Sequence, residues 1–248
     1  MRKRYGTQGL VRAGLLIGLI GALANSADAV RADATKRTSP AAAPPAALSP
    51  ASDWHVSVRE LAAKHFKNPA WGYSHCLRDY ALARELAAAD HVTLDDDVLF
   101  AAAYLHDIAA FPPWEKEKAD HSDVAADLID TILKGTGFPM IKIDAVRGAI
   151  RTHMYYRDPV GAEALYLHDA DALDWLGAIG VARIFGLVDP QGGDPDGPKA
   201  VTMLEENLKN TPSRVLSPAG KSLMPARKAE LEQFLKQLRR ETENVKTL

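Results

Sequence analysis

Several histidines and aspartates of this chain fall on the apolar faces of predicted helices. His106 follows Leu99, Ala102 and Ala103 at intervals of three, one and three residues, which places all four on one side of a helix. A buried imidazole needs hydrogen bonds or a metal ion as its partner. The carboxylate of Asp107 lies only about 100° further round the helix and can reach the same partner. Alone, such a pair is weak evidence for a metal site, because it often arises by chance.

Two further segments strengthen this interpretation. His153 follows three apolar residues at the same spacing as His106, so it also faces inward. Asp171 is the only charged residue on a predicted face that it shares with Trp175 and two alanines. An unpaired buried carboxylate is costly, so Asp171 needs a partner. One inward histidine alone is more often a satisfied core residue, but imidazoles and carboxylates from separate helices together suit a divalent first-row metal.

The elements that carry these residues are predicted to be helices throughout. Proline and glycine cluster between segments of helical apolar period, and alternating β-branched runs are scarce. The segment 189–198 holds three glycines and three prolines and is predicted to be a loop. The fold class is therefore all-α, a bundle of about seven to nine helices, and the sixth segment is expected to break near Asp169. The predicted helices lie near residues 56–66, 73–89, 94–108, 119–134, 141–153, 162–185, 199–209 and 219–242.

The first 52 residues are predicted to lie outside the folded domain. Three basic residues at positions 2–4 precede an apolar run at 14–24, and a small-x-small site ends at Ala29. This pattern predicts a signal peptide over 1–29, cleaved after Ala29 and directing export to the periplasm. An uncleaved anchor or a misassigned start are the alternatives. Residues 30–52 form an Ala/Pro-rich linker, and the domain is expected to span 53–248.

Composition excludes several classes of partner and site. The chain of 248 residues has a formal net charge of -2, so it lacks the basic excess of proteins that bind nucleic-acid polymers. Cys76 is the single cysteine, which excludes an intramolecular disulfide and a thiolate zinc site. The apolar run near the N-terminus is too short for a stable transmembrane span. The last predicted helix has an apolar stripe that either packs on the domain or pairs with a second copy as a homodimer.

The order of these residues resembles the HD superfamily of metal-dependent phosphohydrolases, over about residues 73–185. The segment 101–108 looks like the family's helix ending in Leu-His-Asp-Ile, and 149–153 matches its Ile-x-x-His. The segment 169–183 is similar to Asp-Ala-Asp-x-Leu-Asp…Gly-Ala-Ile-Gly-x-Ala-Arg of small single-domain bacterial HD hydrolases, some of which act on nucleotides.

This resemblance implies roles for individual residues. The metal, one of Mn, Mg, Co, Ni, Zn or Fe, would be bound by His75, His106, Asp107 and Asp171. Catalytic roles would fall to Asp107 and His121. Substrate phosphate would be contacted by Arg78, His153 and Arg183. In some HD families the residues matching His121 and His153 bind a second metal. Asp171 is preferred to Asp169 because the family ligand is the aspartate of Ala-Asp-x-Leu, which makes His168–Asp169 a turn or supporting pair.

The implied activity is hydrolysis of a phosphorylated small molecule, a nucleotide or phosphomonoester, through a metal-activated water. The Glu-Asp pair that some HD nucleotidases carry after the His-Asp dipeptide is absent, since residues 108–114 hold no acid. Glu115, Glu117 and Asp120 are weak substitutes as general acid or base. Two alternatives stay open: a di-iron oxygenase that uses the same six ligands, and an exported binding module whose metal site is only structural.

Overall fold

The computed structural model describes residues 53–188 and 197–248, and within these ranges it contains nine α-helices and no strand. The all-α prediction of about seven to nine helices is confirmed. Three short 3-10 turns lie between α3 and α4, just before α5, and between α8 and α9. The helices are α1 (Trp54–His65), α2 (Tyr73–Ala89), α3 (Asp96–Leu105), α4 (His121–Leu133), α5 (Ile143–Thr152), α6 (Ala162–Asp174), α7 (Gly177–Phe185), α8 (Gly197–Asn210) and α9 (Pro218–Glu241).

Three predicted segments lie outside the described residues. They are the signal peptide 1–29, the linker 30–52, and the part of the predicted loop at 189–196. Among the described helices, none is both long enough and apolar enough to cross a membrane.

Local side chains determine where several helices begin. Asp95 caps α3 and Asp120 caps α4, each by accepting hydrogen bonds from backbone N–H groups in the first turn. Ser217 caps α9 in the same way and is followed by Pro218 at the first helical position. These residues satisfy N–H groups that have no partner inside the helix, and proline lacks an N–H that would need one. The starts of these helices are therefore encoded locally.

The core lies around α3, in which every residue from Val98 to Leu105 is buried. This helix packs against α1, α2, α5 and α6, and the sequence of the buried stretch is apolar throughout apart from one tyrosine hydroxyl. A second, smaller cluster joins α7, α8 and α9 through Ile184, Leu204 and Leu231. The apolar stripe of α9 therefore packs on its own chain, which leaves homodimer formation a prediction.

Two predicted helix boundaries were wrong. The third helix ends at Leu105 rather than Ile108, and a 3-10 turn follows at once. The sixth predicted segment is two helices, but the break falls after Asp174 and not near Asp169. The chain turns at Trp175 and Leu176 and passes through Gly177 with a φ of 66°, a conformation that favours glycine. The apolar face proposed for Asp171 therefore spans two helices.

His168 and Asp169 attach the segment before α9 to α6. The buried carboxylate of Asp169 accepts the backbone N–H of Leu216 at 2.8 Å and that of Ser217 at 2.6 Å. The Nε2 atom of His168 lies 2.9 Å from the carbonyl oxygen of Arg214. This pair lies inside a continuous helix rather than in a turn, and it supports the fold.

We expect Asp169→Asn to lower the free energy of unfolding by about 2–4 kcal/mol, because an amide accepts from one N–H and turns its own NH₂ group toward the other. Chemical denaturation measures the change. Asp130→Asn, at an exposed surface ion pair with Arg147, should cost less than about 1 kcal/mol. Equal losses in the two variants would contradict this role for Asp169.

Candidate metal centre

Three helices bring imidazole and carboxylate groups to a common point. His75 and Asp79 lie on successive turns of α2, His106 caps the C-terminus of α3, and Asp171 lies on α6. The Nε2 atom of His75 is 3.3 Å from that of His106 and 3.3 Å from Oδ1 of Asp171. One donor atom from each of the four residues lies within 4.8 Å of all the others. The predicted gathering of such groups from separate helices is confirmed.

Asp107 lies beside this group, and each of its two carboxylate oxygens faces a different pair of histidines. Its Oδ2 atom is 3.3 Å from Nε2 of His106 and 3.8 Å from Nε2 of His75. Its Oδ1 atom is 3.2 Å from Nε2 of His121 and 3.8 Å from that of His153. Asp107 can do this because it follows His106, the residue that caps the C-terminus of α3, where the chain is leaving the helix.

These separations fit a bound ion. Bonds of about 2.1 Å place neighbouring ligand atoms about 3 Å apart and opposite ones about 4.2 Å apart. The donor set of imidazole nitrogens and carboxylate oxygens suits a divalent first-row metal. Among the described residues, both oxygens of Asp79 and the Nε2 atom of His153 are buried without a hydrogen-bond partner, as expected of atoms that serve as ligands.

Two histidines are oriented by the ends of their own helices. Nδ1 of His106 lies 2.9 Å from the carbonyl oxygen of Ala103, and Nδ1 of His153 lies 2.6 Å from that of Ile150. Each Nδ1–H therefore donates to the backbone, and each Nε2 presents a lone pair to the centre. Burial, followed by His106, lowers the pKa of His153 to about 4. His153 is therefore neutral at pH 7 and is better suited to a metal than to donating a hydrogen bond to phosphate.

His75 is oriented by a buried carboxylate that arginines hold in place. Its Nδ1 atom is 2.8 Å from Oδ2 of Asp174. Arg78 donates from Nε to Oδ1 of Asp174 at 2.8 Å, and Nη1 of Arg183 lies 2.9 Å from Oδ2. The side chain of Arg183 is 1% exposed and stacks 3.5 Å above the ring of Trp175. Both guanidinium groups are thus directed at Asp174 rather than at an open surface.

Gly72 allows α2 to begin where His75 reaches the centre. A Cβ atom at this position would lie 2.3 Å from the carbonyl oxygen of Asn68 and 2.6 Å from that of Phe66. Both neighbours are backbone atoms, so they cannot move aside as a flexible side chain would. Only glycine fits the close approach between the start of α2 and the loop before it.

The charged groups of the centre shift one another's pKa values. Burial disfavours the protonated forms of His75 and His106, yet the carboxylates of Asp171, Asp174 and Asp107 raise the pKa of both above its ordinary value. Burial likewise opposes ionisation of the carboxyl groups, but the histidines hold the pKa of Asp107 well below its ordinary value and lower that of Asp171 to about 2. Both carboxylates are therefore charged at neutral pH.

The family model for the HD domain matches residues 72–176, which include every residue of the centre. The chain contains an HD domain. HD domains bind divalent metals, and the buried histidine and aspartate cluster of this HD domain can hold one. No curated protein matches the sequence.

Solved structures with the same fold are similar to this HD domain over most of their length. One is a predicted HD superfamily hydrolase from an uncultured Thermotogales bacterium (24% identity, TM-score 0.55, covering 77% of this chain and 93% of that one). Another is YpgQ of Bacillus subtilis (20%, 0.58, 77% and 96%), which has also been solved in complex with ADP. A third is an HD-superfamily hydrolase from Bacillus thuringiensis (23%, 0.55, 78% and 96%). At these identities the likeness shows the shared fold.

Two carboxylates of the HD domain were missed by the sequence interpretation. Asp174 ends the Asp-Ala-Asp-Ala-Leu-Asp run and lies one helical turn after Asp171, which was a usable signal. Asp79 lies four residues after His75, on the same face of α2. Burial, followed by Asp174 and Asp171, raises the pKa of Asp79 well above its ordinary value.

The acids considered as substitutes for the missing Glu-Asp pair are either engaged by other residues or exposed. Asp120 accepts hydrogen bonds from Ser122 and Tyr156 as it caps α4. Although burial opposes them, these bonds lower its pKa below the ordinary value, so it stays ionised at neutral pH and does not carry a proton to donate. Glu115 and Glu117 are exposed in the loop before α4.

We expect Asp174→Asn to weaken metal binding by about tenfold, because the partner that orients a ligating histidine commonly contributes 10–100-fold in affinity. Calorimetric titration of Mn²⁺ into the metal-free protein measures the change. The exposed variant Asp130→Asn should bind as the unmodified protein does. An unchanged affinity in Asp174→Asn would show that His75 does not depend on this carboxylate.

Proposed function

We propose that the HD domain hydrolyses a phosphorylated small molecule, a nucleotide or a phosphomonoester. The observation that carries this proposal is the position of Asp107. Its two oxygens face two groups of histidines, and it lies where the centre approaches the surface: Asp107 is 10% exposed and His121 is 31% exposed. The names of the similar structures support a hydrolase. The ADP complex of YpgQ supports a nucleotide as the substrate class.

In this proposal His75, His106, Asp107 and Asp171 bind the first metal. When bound, the ion lowers the pKa of a water ligand and polarises a phosphoryl oxygen. The protein supplies orientation: His106 is fixed by the end of α3, and His75 by Asp174. Phosphoryl transfer depends mainly on such positioning and on charge neutralisation.

His121 is the proposed proton donor. Burial disfavours its protonated form, but Asp107 raises its pKa above the ordinary value. A proton on Nε2 of His121 is shared with Oδ1 of Asp107 at 3.2 Å. Because His121 is also the most exposed of the histidines at the centre, it can deliver this proton to a leaving oxygen at the open side.

We assign the contacts with substrate phosphate to the loop that leads into α4, and not to the two arginines. Arg78 and Arg183 are occupied by Asp174, so we assign to them the orientation of that carboxylate. Lys116 and Lys118 are exposed in the segment just before α4, which begins with His121. Their ammonium groups would meet substrate phosphate near the open side.

A second ion is also part of the proposal. Oδ1 of Asp107, 3.2 Å from Nε2 of His121 and 3.8 Å from Nε2 of His153, would hold this ion together with the two histidines. His121 would then be a ligand and not the proton donor. Two-metal sites serve hydrolases and would also serve the oxygenase alternative. Metal stoichiometry alone therefore does not separate these two functions.

A substrate panel tests the proposal directly. The purified full chain is loaded with Mn²⁺, Mg²⁺, Co²⁺ or Ni²⁺ and assayed for phosphate release from nucleotides, cyclic nucleotides and phosphomonoesters. We expect metal-dependent release from at least one of them. Oxygen uptake with about two irons per chain and no phosphate release would support the oxygenase. Tight metal binding with neither activity would support the structural binding module.

We also propose that the protein is exported to the periplasm, because residues 1–29 have the charge and hydropathy pattern of a signal peptide. Its substrate would then be a scavenged nucleotide or phosphomonoester. N-terminal sequencing of the protein from intact cells should find Val30 as the first residue. An intact Met1 would show instead that the segment is retained.

A further inference from the structure

The centre contains one carboxylate more than the ligand set implied by the resemblance. We propose that Asp79 is a fifth protein ligand of the metal ion, so that the first site offers three carboxylates and two imidazoles. The inference rests on the metal centre and its proposed ligands, but it does not depend on which reaction the protein catalyses.

The position of Asp79 meets the geometric requirement as well as that of any assigned ligand. Its Oδ2 atom is 3.1 Å from Nε2 of His75 and 3.8 Å from Nε2 of His106. It also belongs with Asp171 to the group whose donor atoms all lie within 4.8 Å of one another. Ligands of one ion at bond lengths of about 2.1 Å are separated by about 3–4.2 Å.

Asp79 differs from the buried carboxylates of Asp169 and Asp174 in accepting no hydrogen bond in the described part of the chain. Its side chain is 0% exposed, and neither oxygen accepts a hydrogen bond from any residue in the described part of the chain. The equally buried Asp169 accepts two backbone N–H groups, and Asp174 is paired with Arg78 and Arg183. An ionised carboxylate without hydrogen bonds is costly in a protein interior, so it takes up a proton unless a cation compensates its charge.

The helix holds this carboxylate in place for the ion. Asp79 follows His75 by four residues on α2, so their side chains lie one above the other on the same face. The Nδ1 atom of His75 is engaged by Asp174 on its far side, which leaves Nε2 and the Asp79 oxygen facing the same space. Nε2 of His75 and the carboxylate of Asp79 are therefore positioned to bind the same ion.

A fifth ligand changes which ion the site prefers. Five protein ligands and a water give the six-coordinate, oxygen-rich environment that suits Mn²⁺ or Fe²⁺, whereas Zn²⁺ is usually held by four ligands in a tetrahedral arrangement. Removing Asp79 should therefore weaken the binding of Mn²⁺ more than that of Zn²⁺.

Calorimetric titration of Mn²⁺ and Zn²⁺ into the metal-free full chain tests the proposal with Asp79→Asn. We expect the Kd for Mn²⁺ to rise about 10–100-fold and that for Zn²⁺ to rise less. The metal-free variant should melt at the same temperature as the unmodified protein or higher, because the replaced carboxyl group accepts no hydrogen bond that would be lost. A Kd for Mn²⁺ within about threefold of the original value would overturn the proposal.

Asp169→Asn is the matched control, since it removes a carboxylate of equal burial that is bound to the backbone. It should lower the melting temperature of the metal-free protein and leave the Kd for Mn²⁺ unchanged. If Asp79→Asn behaves in the same way, Asp79 is structural and the proposal is wrong.

A crystal structure of the unmodified protein with Mn²⁺ gives an answer that needs no variant. An oxygen of Asp79 should lie about 2.1–2.3 Å from the ion, and a separation above about 3 Å would exclude it as a ligand. The substrate panel is independent of this result: an ion bound by Asp79 without phosphate release would contradict only the proposed hydrolase.

Discussion

Asp107→Ala should reduce the rate of phosphate release by at least about 1,000-fold, equivalent to about 4 kcal/mol of transition-state stabilisation. Asp107 has one oxygen toward His75 and His106 and the other toward His121 and His153. Its loss removes a ligand and also the carboxylate that keeps a proton on His121. The change should therefore lower kcat as well as weaken metal binding, and added metal should not restore the rate.

Steady-state kinetics at saturating Mn²⁺, together with metal analysis of the dialysed protein, measure both effects. Asp127→Ala is the control, because this aspartate is exposed on α4 and pairs only with Arg151 among the described residues. It should retain the original kcat. Full activity of Asp107→Ala at high metal concentration would mean that Asp107 assists binding but has no part in the reaction.

The inward direction of His106 and His153 was predictable because both follow apolar residues at the same helical spacing. His106 and His153 each end a helix whose last turns present apolar residues to the core. The spacing of apolar residues along each helix was therefore enough to predict that both side chains face the core. The rule works even though the third helix stops at Leu105, since a residue that caps a helix still lies close to the face of the turn before it.

The partners that orient and complete the centre were not predictable in this way. Asp174 contacts His75 across 99 positions of sequence, and only the packing of α2 against α6 brings them together. Without that contact, Arg78 and Arg183 looked like free cations for phosphate. Helical period does place Asp79 beside His75 on α2, but whether a buried acid has a hydrogen-bond partner depends on the tertiary structure.

Metal binding should weaken by more than about tenfold when the pH falls from 8 to 6, because protons on the ligands then compete with the ion. His75 and His106 must be neutral to offer Nε2, and the carboxylates around them raise their pKa above the ordinary value of 6.5. They therefore hold protons in the metal-free protein up to a higher pH than a free histidine does. Asp107 and Asp171 keep their charge throughout, since their pKa values are lowered.

Titration calorimetry in buffers with different ionisation enthalpies counts the protons released on binding. We expect more protons to be released at pH 6 than at pH 8, in step with the higher affinity at pH 8. His91→Asn, which alters an exposed histidine away from the centre, should leave this dependence unchanged. An affinity that does not vary with pH would mean that His75 and His106 are already neutral before the ion arrives, and that Asp171, Asp174 and Asp107 do not keep protons on them.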